Sequence, residues 1–212
     1  MPKGKFMTKI GFLLLAIFTL TVFVAAQLWA APITIKFATG MPPDEEEALH
    51  RGAVVFKKFV EQKAPGRLKV DIYPSSQLGK EREQFEGTKL GTIEMCWIAE
   101  GPMAGFFTEI MVLGIPYLYT NEAIAFRSLD GSFGKALMEE MRKKTGVRSL
   151  GIGENGFRHF STRNKPIKSV DDMKGLKIRV MEHPGYMALV KALGASPTPI
   201  AWGEVYMALQ QG

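Results

Sequence analysis

The stretch DMKGLKIRV, residues 172–180, decides the fold, because it leads from a glycine turn into a strand whose apolar residues alternate with Lys177 and Arg179. The alternation places the two cations on the face opposite the apolar one. A helical pattern over 184–193 and a short strand over 196–200 follow, and this order predicts a parallel β-α-β unit. Ligands bind beyond the carboxyl ends of such strands, where Arg179 offers a planar fork of donors that matches a carboxylate. A surface arginine is the alternative interpretation.

The same two periods recur along the chain and predict an α/β fold with largely parallel sheets. We expect strands at 33–38, 68–73, 93–99, 147–152, 157–162, 176–180 and 196–200. We expect helices at 45–64, 79–89, 121–129, 133–144, 184–193 and 202–211, the first of them capped by Asp44.

The N-terminus has the pattern of a secretory signal. Three lysines within the first nine residues precede an apolar run over 10–26, and small residues follow it. Cleavage after Ala26 and cleavage near Ala30 both fit, and an uncleaved membrane anchor is the alternative, since the run is long enough to span a bilayer. The pattern predicts a signal peptide at 1–30 and export to the periplasm.

Composition and charge exclude several classes of protein. The chain has 212 residues, 46% of them hydrophobic, which is typical of a globular protein. Its 27 basic and 21 acidic residues give a net charge of +6, but the three signal lysines account for half of that excess. The remaining +3 does not indicate a nucleic-acid partner. The single Cys96 excludes an intramolecular disulfide, and the three scattered histidines do not predict a metal site.

Catalytic and cofactor motifs are weak. Residues 151–156 match G-x-G-x-x-G, but the segment 157–163 that follows is strand-like and lacks the helix N-terminus that a pyrophosphate needs. The glycines therefore favour a crossover between two halves of the protein. Cys96 lies in an apolar run and is interpreted as a core residue. His159 and His183 have no local partners for general base catalysis, and we expect neither an enzyme nor a bound cofactor.

Four motifs together resemble one known family. YPSSQLG at 73–79, the stretch at 172–180, LGASPTP at 193–199 and EVYMALQQG at 204–212 are similar to motifs of the solute-binding proteins of tripartite ATP-independent periplasmic (TRAP) transporters, the DctP family. The resemblance implies an α/β, two-lobed periplasmic binding protein fold of type II-like form. Such a protein closes around an organic acid, here a carboxylate of C4-dicarboxylate-like form, and delivers it to a membrane permease.

The resemblance also implies a ligand site. Arg179 matches the family's principal carboxylate-clamping arginine, and Arg158 matches a second arginine that supports the carboxylate. Trp202 matches an aromatic residue that covers the ligand, and Glu100 falls near a ligand-facing position. Gly40 stands where some members carry a polar ligand contact, which puts that contact in doubt.

The resemblance divides the chain into a signal peptide at 1–30, a first α/β lobe at 31–155 and part of a second α/β lobe at 156–212. Family members continue beyond the last of these motifs, so we expect an incomplete second lobe with open strand edges and uncovered apolar surface. We expect this chain alone to bind ligand weakly or not at all and to tend to aggregate. The expected state is a monomer. A periplasmic ligand-sensing module for a membrane signalling protein is the alternative function.

Overall fold

A computed structural model describes residues 31–211 as an α/β chain with two parallel sheets. The strands are β1 (Ile33–Thr39), β2 (Leu68–Tyr73), β3 (Met95–Trp97), β4 (Lys177–Val180) and β5 (Ser196–Pro199). The helices are α1 (Ala48–Lys63), α2 (Glu81–Leu90), α3 (Glu100–Met103), α4 (Glu122–Leu129), α5 (Ser132–Thr145), α6 (Pro184–Ala192) and α7 (Val205–Gln211). Short 3-10 helices lie at Thr108–Gly114, Val170–Met173 and Trp202–Glu204.

The signal predicted over residues 1–30 lies outside the described residues. Within the described part, every helix is too short or too polar to cross a bilayer.

The first sheet has the order β2-β1-β3, so β1 is its central strand. Phe37 of β1 lies opposite Ile72 of β2 and Met95 of β3, and its side chain is fully buried. Its ring stacks on Trp97 at 6.5 Å between centroids and meets Phe56 of α1 edge-on at 5.6 Å. These contacts fix α1 against the sheet, as the alternating and helical patterns predict.

A second hydrophobic core joins α2, α5 and the 3-10 helix at Thr108–Gly114. Phe85, Phe107 and Ile110 are almost completely buried in it, with Leu137 and Met141 of α5 packed against them. This cluster holds α2 in a fixed orientation, and α2 carries a side chain of the candidate site at its first residue.

The second sheet pairs β4 with β5 in parallel, with Arg179 opposite Thr198. Ile178 and Val180 point to the core side, where Val190 of α6 packs against them. Arg179 therefore lies on the opposite face, as the sequence predicts.

Two helix ends confirm the sequence interpretation. The Asn121 side chain accepts a hydrogen bond from the amide of Ile124 at 2.9 Å and caps α4. Gly146 has φ of 79° and ends α5, a left-handed conformation that glycine adopts without strain.

The predicted start of α1 is wrong by three residues. Asp44 caps only a tight turn, where its side chain accepts from the amide of Glu46 at 2.9 Å. The helix begins at Ala48, because the carboxylate of Glu47 accepts from the amide of His50 at 2.6 Å and satisfies one of the free donors of the first turn.

Two predicted strands do not form. Residues 147–152 and 157–162 contain no strand in the structure, and they form no ladder with any of the described strands. Alternating apolar residues alone do not make a strand without such a partner. The run at 93–99 forms a ladder only over Met95–Trp97.

Candidate functional site

An open cleft lies beyond the carboxyl ends of β4 and β5, where α2 approaches them. The space between its lining residues is about 210 Å³ and is continuous with bulk solvent. Its charged lining residues are Glu81, Arg179 and Glu182, and its apolar ones include Met181, Ile200 and Trp202. The position agrees with the general rule that ligands bind at the carboxyl ends of parallel strands.

Arg179 is held in the cleft by the residue that follows β5. Its Nε and Nη2 donate to the carbonyl oxygen of Ile200 at 3.0 and 2.6 Å. Its guanidinium carbon lies 6.0 Å from the centre of the Trp202 ring. Within residues 31–211 the guanidinium forms no ion pair with a carboxylate, and burial lowers the pKa of Arg179, an effect that the charge of Glu81 opposes. A half-buried cation without a carboxylate partner is stabilised by an anion that enters the cleft.

Trp202 begins the 3-10 helix that follows β5 and is partly exposed to the cleft. The same helix is joined to α2 by an ion pair between Lys80 and Glu204, at 2.6 Å. Both side chains of this pair are about half exposed, so the pair contributes little to the free energy of unfolding. It does connect the start of α2 to the 3-10 helix that carries Trp202.

Glu81 is the first residue of α2 and is 7% exposed. Its Oε1 accepts from the amide of Ala99 at 3.0 Å. Burial raises the pKa of Glu81, while the hydrogen bond from Ala99 and the charge of Arg179 act in the opposite direction. A side chain at Gly40 would lie 3.6 Å from Glu81 Cγ and 3.4 Å from the Trp202 ring, so the absence of one leaves space beside the carboxylate.

The raised pKa of Glu81 predicts a pH-dependent stability. The folded protein binds the proton more tightly than the unfolded chain, so the free energy of unfolding falls as pH rises from the ordinary pKa of glutamate through the raised one. We expect Glu81→Gln to remove this pH dependence of the free energy of unfolding, since the glutamine side chain keeps an oxygen that accepts from Ala99 but does not titrate. Chemical denaturation of both proteins between acid and neutral pH measures it, and a pH-independent difference between them contradicts the assignment.

A second polar cluster lies beside the cleft and joins α3 to α6. The Tyr186 hydroxyl donates to Glu100 Oε1 at 2.5 Å, and Arg158 Nη2 lies 3.7 Å from the same oxygen. The Arg158 guanidinium also lies 5.8 Å from the centre of the Tyr186 ring. Met181 connects this cluster to the cleft, since it lines the cleft and its sulfur is 4.0 Å from Arg158 Nη2.

His183 caps α6. Its Nδ1 accepts from the amide of Tyr186 at 3.1 Å, and its ring lies 4.2 Å from the Tyr186 ring. The side chain is 1% exposed, and burial lowers the pKa of His183. A neutral imidazole in this position is a structural cap that supports Tyr186.

The contact between Tyr186 and Glu100 is testable by a double-mutant cycle. We expect Tyr186→Phe and Glu100→Gln each to lower the free energy of unfolding, with a coupling of at least about 0.5 kcal/mol, because the hydroxyl donates to a charged acceptor. Urea unfolding of the two single variants and the double variant measures the coupling. Additive effects contradict the contact.

The structure thus brings two of the four predicted residues, Arg179 and Trp202, together in the cleft. The other two, Arg158 and Glu100, pair with each other in the neighbouring cluster. Sequence reasoning missed Glu81, the first residue of the helix that follows β2 after the loop at 74–80, because its contact with Ala99 joins segments that are distant in sequence.

Comparison with known proteins decides the family. The family model for bacterial extracellular solute-binding protein, family 7, matches residues 39–212. The chain belongs to the DctP family. This confirms the resemblance that the four sequence motifs carry.

Individual relatives support the assignment of the chain to the DctP family. A solute-binding protein of Verminephrobacter eiseniae is 41% identical over 165 residues, which are 77% of this chain and 49% of the relative. A TRAP periplasmic solute-binding protein of Polaromonas sp. JS666, solved with bound D-erythronate, is 36% identical with a TM-score of 0.80, covering 84% of this chain and 58% of that one. The corresponding protein of Sulfurospirillum deleyianum, solved with bound succinate, is 31% identical with a TM-score of 0.79, covering 84% and 57%.

The DctP fold of the chain is therefore α/β, with the two-lobed architecture of TRAP periplasmic solute-binding proteins. The chain spans about half the length of the curated relatives it matches. These relatives are solute-binding receptors of the periplasm and not enzymes.

Proposed function

We propose that this protein is an extracytoplasmic receptor that binds an organic acid through the carboxylate and delivers it to a TRAP-type membrane permease. The observation that carries the proposal is Arg179, a half-buried guanidinium in a cleft with no ion pair to a described carboxylate. An acid bound there forms a charge-assisted hydrogen bond, and exclusion of water strengthens it.

Trp202 and Arg158 extend the proposed site. The Trp202 ring beside Arg179 gives apolar cover to the carbon skeleton of the acid. Arg158 lies in the neighbouring cluster and adds positive potential to the carboxylate position, while Glu100 holds it there. Because Glu100 and Tyr186 join α3 to α6, ligand binding and the relative position of the two lobes are coupled in this proposal.

Export and partners follow from the same proposal. A signal peptide at 1–30 directs the chain to the periplasm, where it acts as a monomer. The relatives with bound D-erythronate and succinate support an organic acid as the ligand class. Among organic acids, the sequence resemblance favours a C4-dicarboxylate as the ligand.

The proposal is tested by thermal unfolding of the purified protein with a panel of organic acids. The panel contains succinate, D-erythronate, galacturonate and galactonate at millimolar concentration, with the uncharged sugar galactose as the matched control. We expect at least one acid, and not galactose, to raise the Tm, since a ligand that binds only the folded state stabilises it. An unchanged Tm with every acid in a wide panel contradicts the proposal.

A further inference from the structure

Two parts of the chain meet beside the cleft, the part built on the first sheet and the part built on the second sheet. On the side of the first sheet lie Glu100, at the start of α3, and Gly114, at the end of a 3-10 helix. On the side of the second sheet lie His183 and Tyr186, at the start of α6. The hydrogen bond from the Tyr186 hydroxyl to Glu100 crosses between the two parts. This interface is therefore one of the contacts that fix their relative position.

The interface is closely packed around the His183 imidazole. A Cβ at Gly114 would stand 3.2 Å from His183 Cε1 and 3.0 Å from the Tyr186 hydroxyl oxygen, so a larger residue would push the two parts apart. A Cβ at Gly185 would stand 2.8 Å from the same imidazole carbon. The His183 side chain is 1% exposed, and its Nε2 has no hydrogen-bond partner among the described residues. A positive charge on this enclosed ring has little solvent to stabilise it.

His183 caps α6 only in its neutral form. Its Nδ1 accepts from the amide of Tyr186, so the single ring proton of the neutral imidazole is on Nε2. A second proton must enter at Nδ1, where it replaces the acceptor by a donor that faces the amide donor. The cation also lies at the N-terminus of a helix, where the macrodipole disfavours positive charge. Protonation of His183 therefore removes the cap that positions Tyr186.

Charged groups face the imidazole from the neighbouring elements. Burial is the largest effect and lowers the pKa of His183, while Glu100 of α3 acts in the opposite direction and Arg158 adds to the lowering. Glu100 and Arg158 also lie 3.7 Å from each other, so the attraction of the carboxylate is shared. Glu109 of the 3-10 helix forms its ion pair with α5, and the neighbouring Glu182 lines the cleft. The protein thus disfavours the imidazolium form.

We propose that His183 is a pH-sensitive switch of the contact between the two parts: in acid, its protonation uncaps α6, withdraws Tyr186 from Glu100 and lets the two parts separate. The folded protein binds this proton less tightly than the unfolded chain. The stabilisation is therefore fully present above the ordinary pKa of histidine, 6.5, and is lost as pH falls through the lowered pKa. The inference goes beyond the proposed function and does not depend on it. In a receptor that closes around its ligand, acid would favour the open form.

The test measures the distance between the two parts by pulsed electron paramagnetic resonance. Spin labels are attached at Lys58→Cys of α1 and Lys191→Cys of α6, both exposed, in a protein whose native thiol is removed by Cys96→Ala. We expect the distance distribution to shift reversibly to longer values between about pH 8 and about pH 5. In His183→Asn, which keeps a side-chain oxygen for the cap but does not titrate, we expect one distribution at both pH values. His159→Asn removes an exposed histidine and is the matched control, which keeps the pH response.

Tyr186→Phe makes the test independent of whether His183→Asn folds. It removes the hydroxyl that reaches Glu100, so we expect the longer distances already at the higher pH. A distribution that does not change with pH in the labelled protein overturns the inference. The same pH response in folded His183→Asn, whether by separation or by unfolding, also overturns it, because another group then titrates. So does a Tyr186→Phe distribution at the higher pH that equals that of the labelled protein.

Discussion

Replacing Arg179 with alanine weakens binding of the organic acid by at least about tenfold. Hydrogen bonds between charged groups contribute about 1.5–3 kcal/mol each, and 1.4 kcal/mol corresponds to a factor of ten in affinity. The guanidinium is held by the Ile200 carbonyl and is half buried, so it is partly desolvated before the acid binds. Calorimetric titration with the acid that gives the largest Tm shift measures the effect.

Two further variants control this experiment. Arg179→Lys keeps the charge without the planar fork, so we expect an affinity between those of the wild type and Arg179→Ala. Arg142→Ala removes a partly exposed arginine of α5 that pairs with Glu139 of the same helix and lies outside the cleft, and it leaves the affinity unchanged. Wild-type affinity in folded Arg179→Ala contradicts the role of Arg179.

Replacing Phe37 with alanine lowers the free energy of unfolding by about 3–5 kcal/mol. Phe37 is fully buried in the central strand of the first sheet and contacts the rings of Phe56 and Trp97. Truncation leaves a cavity between the sheet and α1 in addition to the lost transfer free energy. Urea unfolding measures the difference.

Val55→Ala is the matched control for Phe37→Ala. Val55 lies on the exposed side of α1, with 65% of its surface accessible, so its truncation changes the free energy of unfolding by no more than about 0.5 kcal/mol. An equal decrease in the free energy of unfolding in Phe37→Ala and Val55→Ala contradicts the placement of Phe37 in the core.

Local patterns in the sequence predicted most of the fold. The strands at β1, β2, β4 and β5 follow from alternation, and α4 and α5 follow from their caps at Asn121 and Gly146. The strands expected at 147–152 and 157–162 failed because pairing depends on a neighbour distant in sequence, which alternation does not encode.

The candidate site was predictable where it depends on topology. The carboxyl-end rule and the alternation in β4 suffice to place Arg179 outside the core. Glu81 and Tyr186 were missed because their roles arise from contacts between segments far apart in the chain. Glu81 contacts Ala99, and Tyr186 contacts Glu100 across 86 positions. A charged helix start and an apolar helix pattern carry no signal of either contact.

The most direct test of the central claim, that the cleft recognises a carboxylate through Arg179, is one comparative titration. The purified protein is titrated with the acid that gives the largest Tm shift and with the primary amide of the same acid, which has nearly the same shape and no charge. Recognition by Arg179 predicts that the amide binds at least about tenfold more weakly, since the charge-assisted hydrogen bond is lost. Equal affinities for acid and amide contradict the claim.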